Sequence, residues 1–254
     1  MALSSPIHAG VDCAASHKPF SYAALDSRLN LVALAEGELD DVVDFLRAHE
    51  AITVAINAPS HLNTGVFRRS LDPDRSTPQR LRGADMRLGE HELRERGIAV
   101  NGTAGRESAC PAWVRLGLAL YRALSDHGFG AYPTEACPQQ WLETHPHAAF
   151  CSLLGRTPLS KPSLEGRMQR QLVLFERGLH IPDPMDLLEE ITRHKLLNGM
   201  MPSGLIYQPD QLDALVAAYT AWVATAKKSE LTRLGVGEEG YIHLPVANLL
   251  EFYH

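Results

Sequence analysis

The stretch Ala51-Ile52-Thr53-Val54-Ala55-Ile56 is a continuous apolar and β-branched run with no charged residue in it. Such a run marks a strand covered on both faces, as in a parallel sheet between helical layers. Before it, residues 37–49 place Leu39, Val42, Val43 and Leu46 at helical spacing, with acids gathered toward the start as the helix dipole favours. A buried strand reached through one helix needs a crossover connection, so it pairs in parallel with an earlier strand. The apolar stretch 7–13 is that strand. The chain is therefore read as α/β.

The remaining elements follow from the same signals. Residues 20–25 and 29–35 read as two strands, and Asp26-Ser27 between them is turn chemistry, which predicts an antiparallel hairpin. Residues 61–109 are irregular apart from a helical piece near Ala84 to Arg96. Pro111 opens a helix carrying Trp113, Leu116, Leu120 and Leu124 inward, and Gly128 to Ala136 reads as a short strand. Gln139 to His147 is expected as a short helix, followed by helices over Leu164–Arg177 and Pro184–Leu197. Pro209 opens the last strong helix, running to Trp222. Its small face of Ala214, Ala217, Ala218 and Ala221 can lie close against a sheet. Glu238 to Pro245 is read as a turn and a short strand.

Composition narrows the class. With 45% apolar and 21% charged residues in 254, the chain can bury a core, and no apolar run approaches the roughly 18 residues of a membrane span. Its first residues lack a basic region followed by an apolar core, so a cytoplasmic, non-membrane protein is expected. Cysteines 13, 110, 137 and 151 show neither C-x-x-C pairing nor regular spacing, which argues against a zinc site and a disulfide framework. A net charge of −6 weighs against tight, sequence-independent binding to polyanions. Eight arginines against six acids between Phe67 and Arg96 form only a modest local bias.

Candidate chemistry sits where apolar runs stop. Asp12 ends the first strand and is followed by small residues that leave room for a ligand. Asn57 ends the buried strand at the same level, the rim where ligands sit in open α/β sheets. Glu135 is a second carboxylate at a predicted strand end. Asp210 and Asp213 stand three apart on the first turn of the last strong helix. His145 and His147, two apart, would not share a helix face and are read as surface or packing residues.

Gly10-Val11-Asp12-Cys13-Ala14, Ile56-Asn57-Ala58-Pro59, Arg82 with Asp85, Glu135-Ala136-Cys137-Pro138, Asp210-Gln211-Leu212-Asp213-Ala214 and Glu239 to Pro245 resemble, in order and spacing, the family catalogued as domain of unknown function 429. The resemblance spans about residues 7–245. It implies one ribonuclease H-like domain over 1–254, a mixed five-stranded sheet flanked by helices. The implied core is about 7–57, 110–136 and 205–227, with insertions at about 60–109 and 140–204. It further implies a metal-dependent nuclease. The family pattern usually has an aspartate where this chain has Asn57, a neutral oxygen donor that removes one negative charge from the site.

On that basis Asp12, Glu135 and Asp213 are expected as catalytic carboxylates. Asp12, Asn57, Glu135, Asp210 and Asp213 are the candidate ligands for Mg²⁺ or Mn²⁺. Carboxylates a few ångströms apart repel unless a cation neutralises them, and two such ions could activate water and stabilise the leaving oxygen of a phosphodiester. Arg82, Lys161 and Arg170 are candidate phosphate contacts. A nucleic acid or nucleotide is the expected partner. Two further readings stand beside this one: a non-catalytic binding module with Asn57 marking a degraded site, and phosphoryl transfer to a small molecule.

Overall fold

The computed structural model describes residues 6–14, 19–71 and 85–254. Strands β1 (Ile7–Cys13), β2 (Phe20–Leu25) and β3 (Leu31–Gly37) form an antiparallel meander. Helix α1 (Leu39–Arg47) leads to β4 (Ile52–Asn57), which lies parallel to β1. Two short helices, α2 (Val66–Leu71) and α3 (Leu88–Glu95), punctuate the irregular stretch before α4 (Ala112–Asp126). Next come β5 (Gly130–Ala131), β6 (Gln139–Thr144), α5 (Pro146–Leu154) and α6 (Leu164–Glu176). The chain continues through α7 (Asp186–Glu190), α8 (Arg193–Leu197) and α9 (Pro209–Ala226), then closes with the hairpin β7 (Thr232–Val236) and β8 (Gly240–Leu244).

The described strands make one sheet of eight, in the order β3-β2-β1-β4-β6-β8-β7, with β5 beside β6. β1, β4, β6 and β8 run parallel, and the two flanks are antiparallel. The resemblance implies a five-stranded sheet; the short strand read after the turn at 238 is β8, and the strands that were not expected are β6 and β7. The predicted helix over 139–147 is in fact β6 followed by the start of α5. Pro146 occupies the first turn of α5, where its missing N–H costs nothing, and His145 caps that helix by accepting the Ala148 N–H at Nδ1, 3.2 Å away. Residues 139–144 are thereby freed to pair with β4. The strand predicted over 128–136 shrinks to two residues, and 132–138 only carries the chain into β6. Likewise the helix predicted over 184–197 divides in two, because Thr192 turns to an extended conformation and caps α8 through the Lys195 N–H.

Alternation along the strands assigns each residue to a layer. Ala9, Val11, Val54 and Ile56 face α1 and α4, where Val42, Leu46, Leu120 and Leu124 are fully buried. Burying each of these larger side chains contributes about 1.5–3 kcal/mol. Gly10, Asp12 and Asn57 face the opposite layer, formed by α9 with α5 and α6 behind it. Ala55 on that face meets Ala217 and Ala221. Gly10 permits the approach, since a Cβ there would overlap the Ala214 carbonyl oxygen and the Ala218 nitrogen. The small face of α9 thus lies directly on β1, with Asp213 one residue before the contact. Among the described residues, no helix is long and apolar enough to cross a membrane.

Candidate active site

Asp12 and Asn57 are register partners at the carboxyl ends of β1 and β4, so both side chains leave the sheet on one face at one level. Asn57 Nδ2 donates to Asp12 Oδ1 at 2.5 Å. From the second turn of α9, Asp213 turns toward the same place and is 6% exposed, against 3% for Asp12. Lys161, in the connection before α6, donates from Nζ to Asp213 Oδ2 at 2.7 Å and lies 3.5 Å from Asp210 Oδ1. These groups line a cleft of about 350 Å³, walled by Trp113, His145 and His147.

Electrostatics follow from that crowding. Burial pushes the Asp12 carboxyl up to about 7, and the Asp213 charge adds to this, while the Asn57 hydrogen bond and Lys161 pull the other way. Asp213 is raised by burial and partly relieved by Lys161 and Arg170. Burial disfavours the Lys161 ammonium, but the Asp213 charge and hydrogen bond outweigh it, so Lys161 is held more firmly protonated than usual. His145 is pushed down to about 4 by burial and by His147, which leaves it a neutral wall of the cleft at neutral pH.

The other predicted residues fall elsewhere. Glu135 is exposed and lies in a separate hollow with Tyr132, Gln140 and Lys228, before the amino end of β6. Because β6 runs parallel to β4, that is the rim opposite to Asp12. The expectation that Glu135 joins the acidic group is therefore corrected. Its basis was a strand ending near 136, whereas the strand begins three residues later. Arg170 is 2% exposed; its Nη1 donates to the carbonyls of Leu159 and Gly166, and its guanidinium stands 5.5 Å from the Phe150 ring centroid. It fixes the loop that carries Lys161 rather than offering a free fork to a phosphate. Arg82 lies outside the described residues.

Sequence reasoning missed Glu143, the carboxylate that does stand at the carboxyl end of β6, opposite Ile56. Alternation sends it to the α4 side, away from Asp12. There it accepts from Arg87 Nη1 at 2.9 Å, from Arg87 Nη2, and from the Ser60 N–H and hydroxyl at 2.7 and 2.8 Å. Arg87 also reaches Glu90 and the Glu239 carbonyl, while the Glu239 carboxylate takes the backbone N–H groups of Thr64, Val66 and Leu88. This buried network clamps the segment after Asn57 onto the sheet. His145 and His147 were also read as mere surface or packing residues. The signal that could have found all three was His145-Pro146, a helix start that leaves 139–144 as a strand pointing at the site.

Asp12, Asp213, Asp210 and the Asn57 amide oxygen are hard oxygen donors, a set that suits a hard divalent cation. Yet among the described residues no group of three or more His, Cys, Asp or Glu side chains stands ready to hold a metal. Instead Lys161 engages Asp213, Asn57 engages Asp12, and Glu135 is at the far rim.

No curated protein and no solved structure gives a significant match to the chain. A family profile does, over residues 10–233, a span that runs from β1 into β7 and includes Asp12, Asn57, Lys161 and Asp213. The chain belongs to the family described as "Protein of unknown function (DUF429)".

Proposed function

We propose that the protein is a metal-dependent phosphodiesterase or nuclease with a ribonuclease H-like core, acting on a nucleic acid or nucleotide. One observation carries the reading. Asp12 and Asp213, far apart in the chain, meet as buried carboxylates in an open cleft at the carboxyl end of parallel strands, the rim where α/β sheets take ligands. Burying two acids together is costly, and a structural purpose for it is hard to find when Gly10 and the alanines of α9 already provide the packing.

The protein's own groups divide the work. Asp12, Asp213 and Asp210 supply negative oxygens that would hold Mg²⁺ or Mn²⁺, and Asn57 fixes the Asp12 carboxylate. When bound, such an ion supplies positive charge at the scissile phosphate. Lys161 brings a second, permanent positive charge to the cleft, placed to stabilise charge that develops on phosphoryl oxygens. Trp113, His145 and His147 narrow the entrance and limit water.

The test is hydrolysis of labelled single-stranded, duplex and hybrid substrates with Mn²⁺. Cleavage by the wild type that is lost in Asp213→Asn, with its circular dichroism unchanged, is expected. Cleavage equal in both, or in neither, sinks the reading. A binding module without catalysis is the second reading. It is favoured by Asn57 donating its NH₂ group to Asp12 in place of an acid, and it predicts Mn²⁺-independent ligand binding without turnover.

A further inference from the structure

We propose that α7, α8 and the turn after them form a surface on which two copies of the chain pair about a two-fold axis. Of the ten large apolar side chains exposed among the described residues, six fall within residues 185–201: Met185, Leu188, Leu196, Leu197, Met200 and Met201. Single exposed apolar residues are ordinary, whereas a concentration of them marks a contact surface.

α8 is the sharpest case. A helix of five residues has little stability of its own and usually forms because one face packs against the core. α8 buries no residue, and its hydrogen bonds run to its chain neighbours Glu190, Thr192, Asn198 and Met200. Leu196 and Leu197 stand 57% and 79% exposed. In α7 only Leu187 is buried, so Leu188 faces outward beside them in sequence. No described residue covers this face.

Charge identifies the occupant. Asp186, Glu189 and Glu190 of α7 wall a hollow of about 330 Å³ together with Pro202 and Leu205. Arg193 and Lys195 give α8 the opposite sign. Lys195 holds Glu190 at 2.5 Å, but Asp186, Glu189 and Arg193 have no ion pair among the described residues. The patch thus carries both halves of a complementary pair. A partner of one charge sign, or an anionic lipid surface, would meet like charge on one of the two helices. A second copy related by a two-fold axis brings each α8 onto the other's α7, so every contact is made twice and each basic helix meets an acid-walled hollow.

Sedimentation velocity of the full chain between about 2 and 200 µM, a range that brackets weak protein pairing, tests the proposal. The wild type should shift from monomer to dimer as concentration rises. Leu197→Asp should stay monomeric with an unchanged circular dichroism spectrum. Arg193→Glu and Glu189→Arg should each stay monomeric, because either change sets like charges face to face twice. Mixed in equal amounts, these two variants should form a heterodimer, because the paired exchanges restore opposite charges at both contacts. A wild type that stays monomeric at the highest concentration, a dimer that survives Leu197→Asp or either charge change, or a mixture that stays monomeric overturns the proposal. None of these readouts depends on catalysis, so they stand apart from the nuclease reading.

Discussion

Gly10 of β1 lies against the backbone of Ala214 in α9, close enough that a Cβ on Gly10 would overlap the Ala214 carbonyl oxygen. The contact sets the distance between the sheet and the helix that carries Asp213. Gly10→Ala should therefore lower stability by about 1–3 kcal/mol or more, as overpacking does. Gly204→Ala, where nothing lies within 4 Å, should stay within about 0.5 kcal/mol. Urea denaturation compares the two, and equal midpoints would refute the close approach.

The Asp12 carboxyl gives stability a defined pH dependence. Between its ordinary 3.8 and about 7, the folded chain keeps a proton that the unfolded chain has released, so this residue makes the fold less stable as pH rises through that window. Asp213 acts in the same direction. His8 and His145, pushed down to about 4, act in the opposite direction below 6.5, so total stability hides the effect. The difference between Asp12→Asn and wild type exposes it. The variant's advantage should grow between pH 4 and pH 8 by an amount on the order of 2–4 kcal/mol. A difference that does not vary with pH would contradict the assignment.

Removing Arg87 should be among the most damaging single changes. It leaves Glu143 and Glu90, 4% and 2% exposed, without their cation. Breaking one side of a buried ion network costs about 3–5 kcal/mol, so Arg87→Met should lose most of the stability of an ordinary domain. Arg87→Lys should recover only part of it, because an ammonium cannot copy the fork that grips Glu143 and Glu90 together. Thermal melts of the two variants check this; a melting temperature near wild type for the methionine variant would show that the network is dispensable.

Ligand linkage separates the two rims of the sheet. Mn²⁺ at a hundred times its dissociation constant should stabilise the wild type by about 2.7 kcal/mol. Asp12→Ala and Asp213→Asn should lose that shift and Glu135→Gln should retain it. A loss in Glu135→Gln would restore that residue to the site.

Much of the architecture was legible because periodicity is a local property. The run at 51–56 announced a buried parallel strand, and the small face of 214–221 announced a helix lying close to a sheet; both are present. The boundary at Pro146 was misread because Gln139-Gln140-Trp141-Leu142-Glu143-Thr144 carries little strand propensity. It is a strand only because β4 and β8 offer it partners on either side. That single boundary moved Glu135 to the wrong end of the sheet and hid Glu143.

By itself the sequence determined the alternation that turns Asp12 and Asn57 out of the sheet, and the proline that stops β4 beside them. Which distant groups would answer Asp12 was decided only by the tertiary structure. Whether an acid at a strand end faces solvent, an arginine or another acid depends on strand order and on how near a helix can approach. Gly10 and the alanines of α9 brought Asp213 in, the Arg170-held loop brought Lys161, and the opposite face of β6 gave Glu143 to Arg87. Local pattern fixes the direction of a side chain, while its partner is fixed by contacts that no short stretch of chain contains.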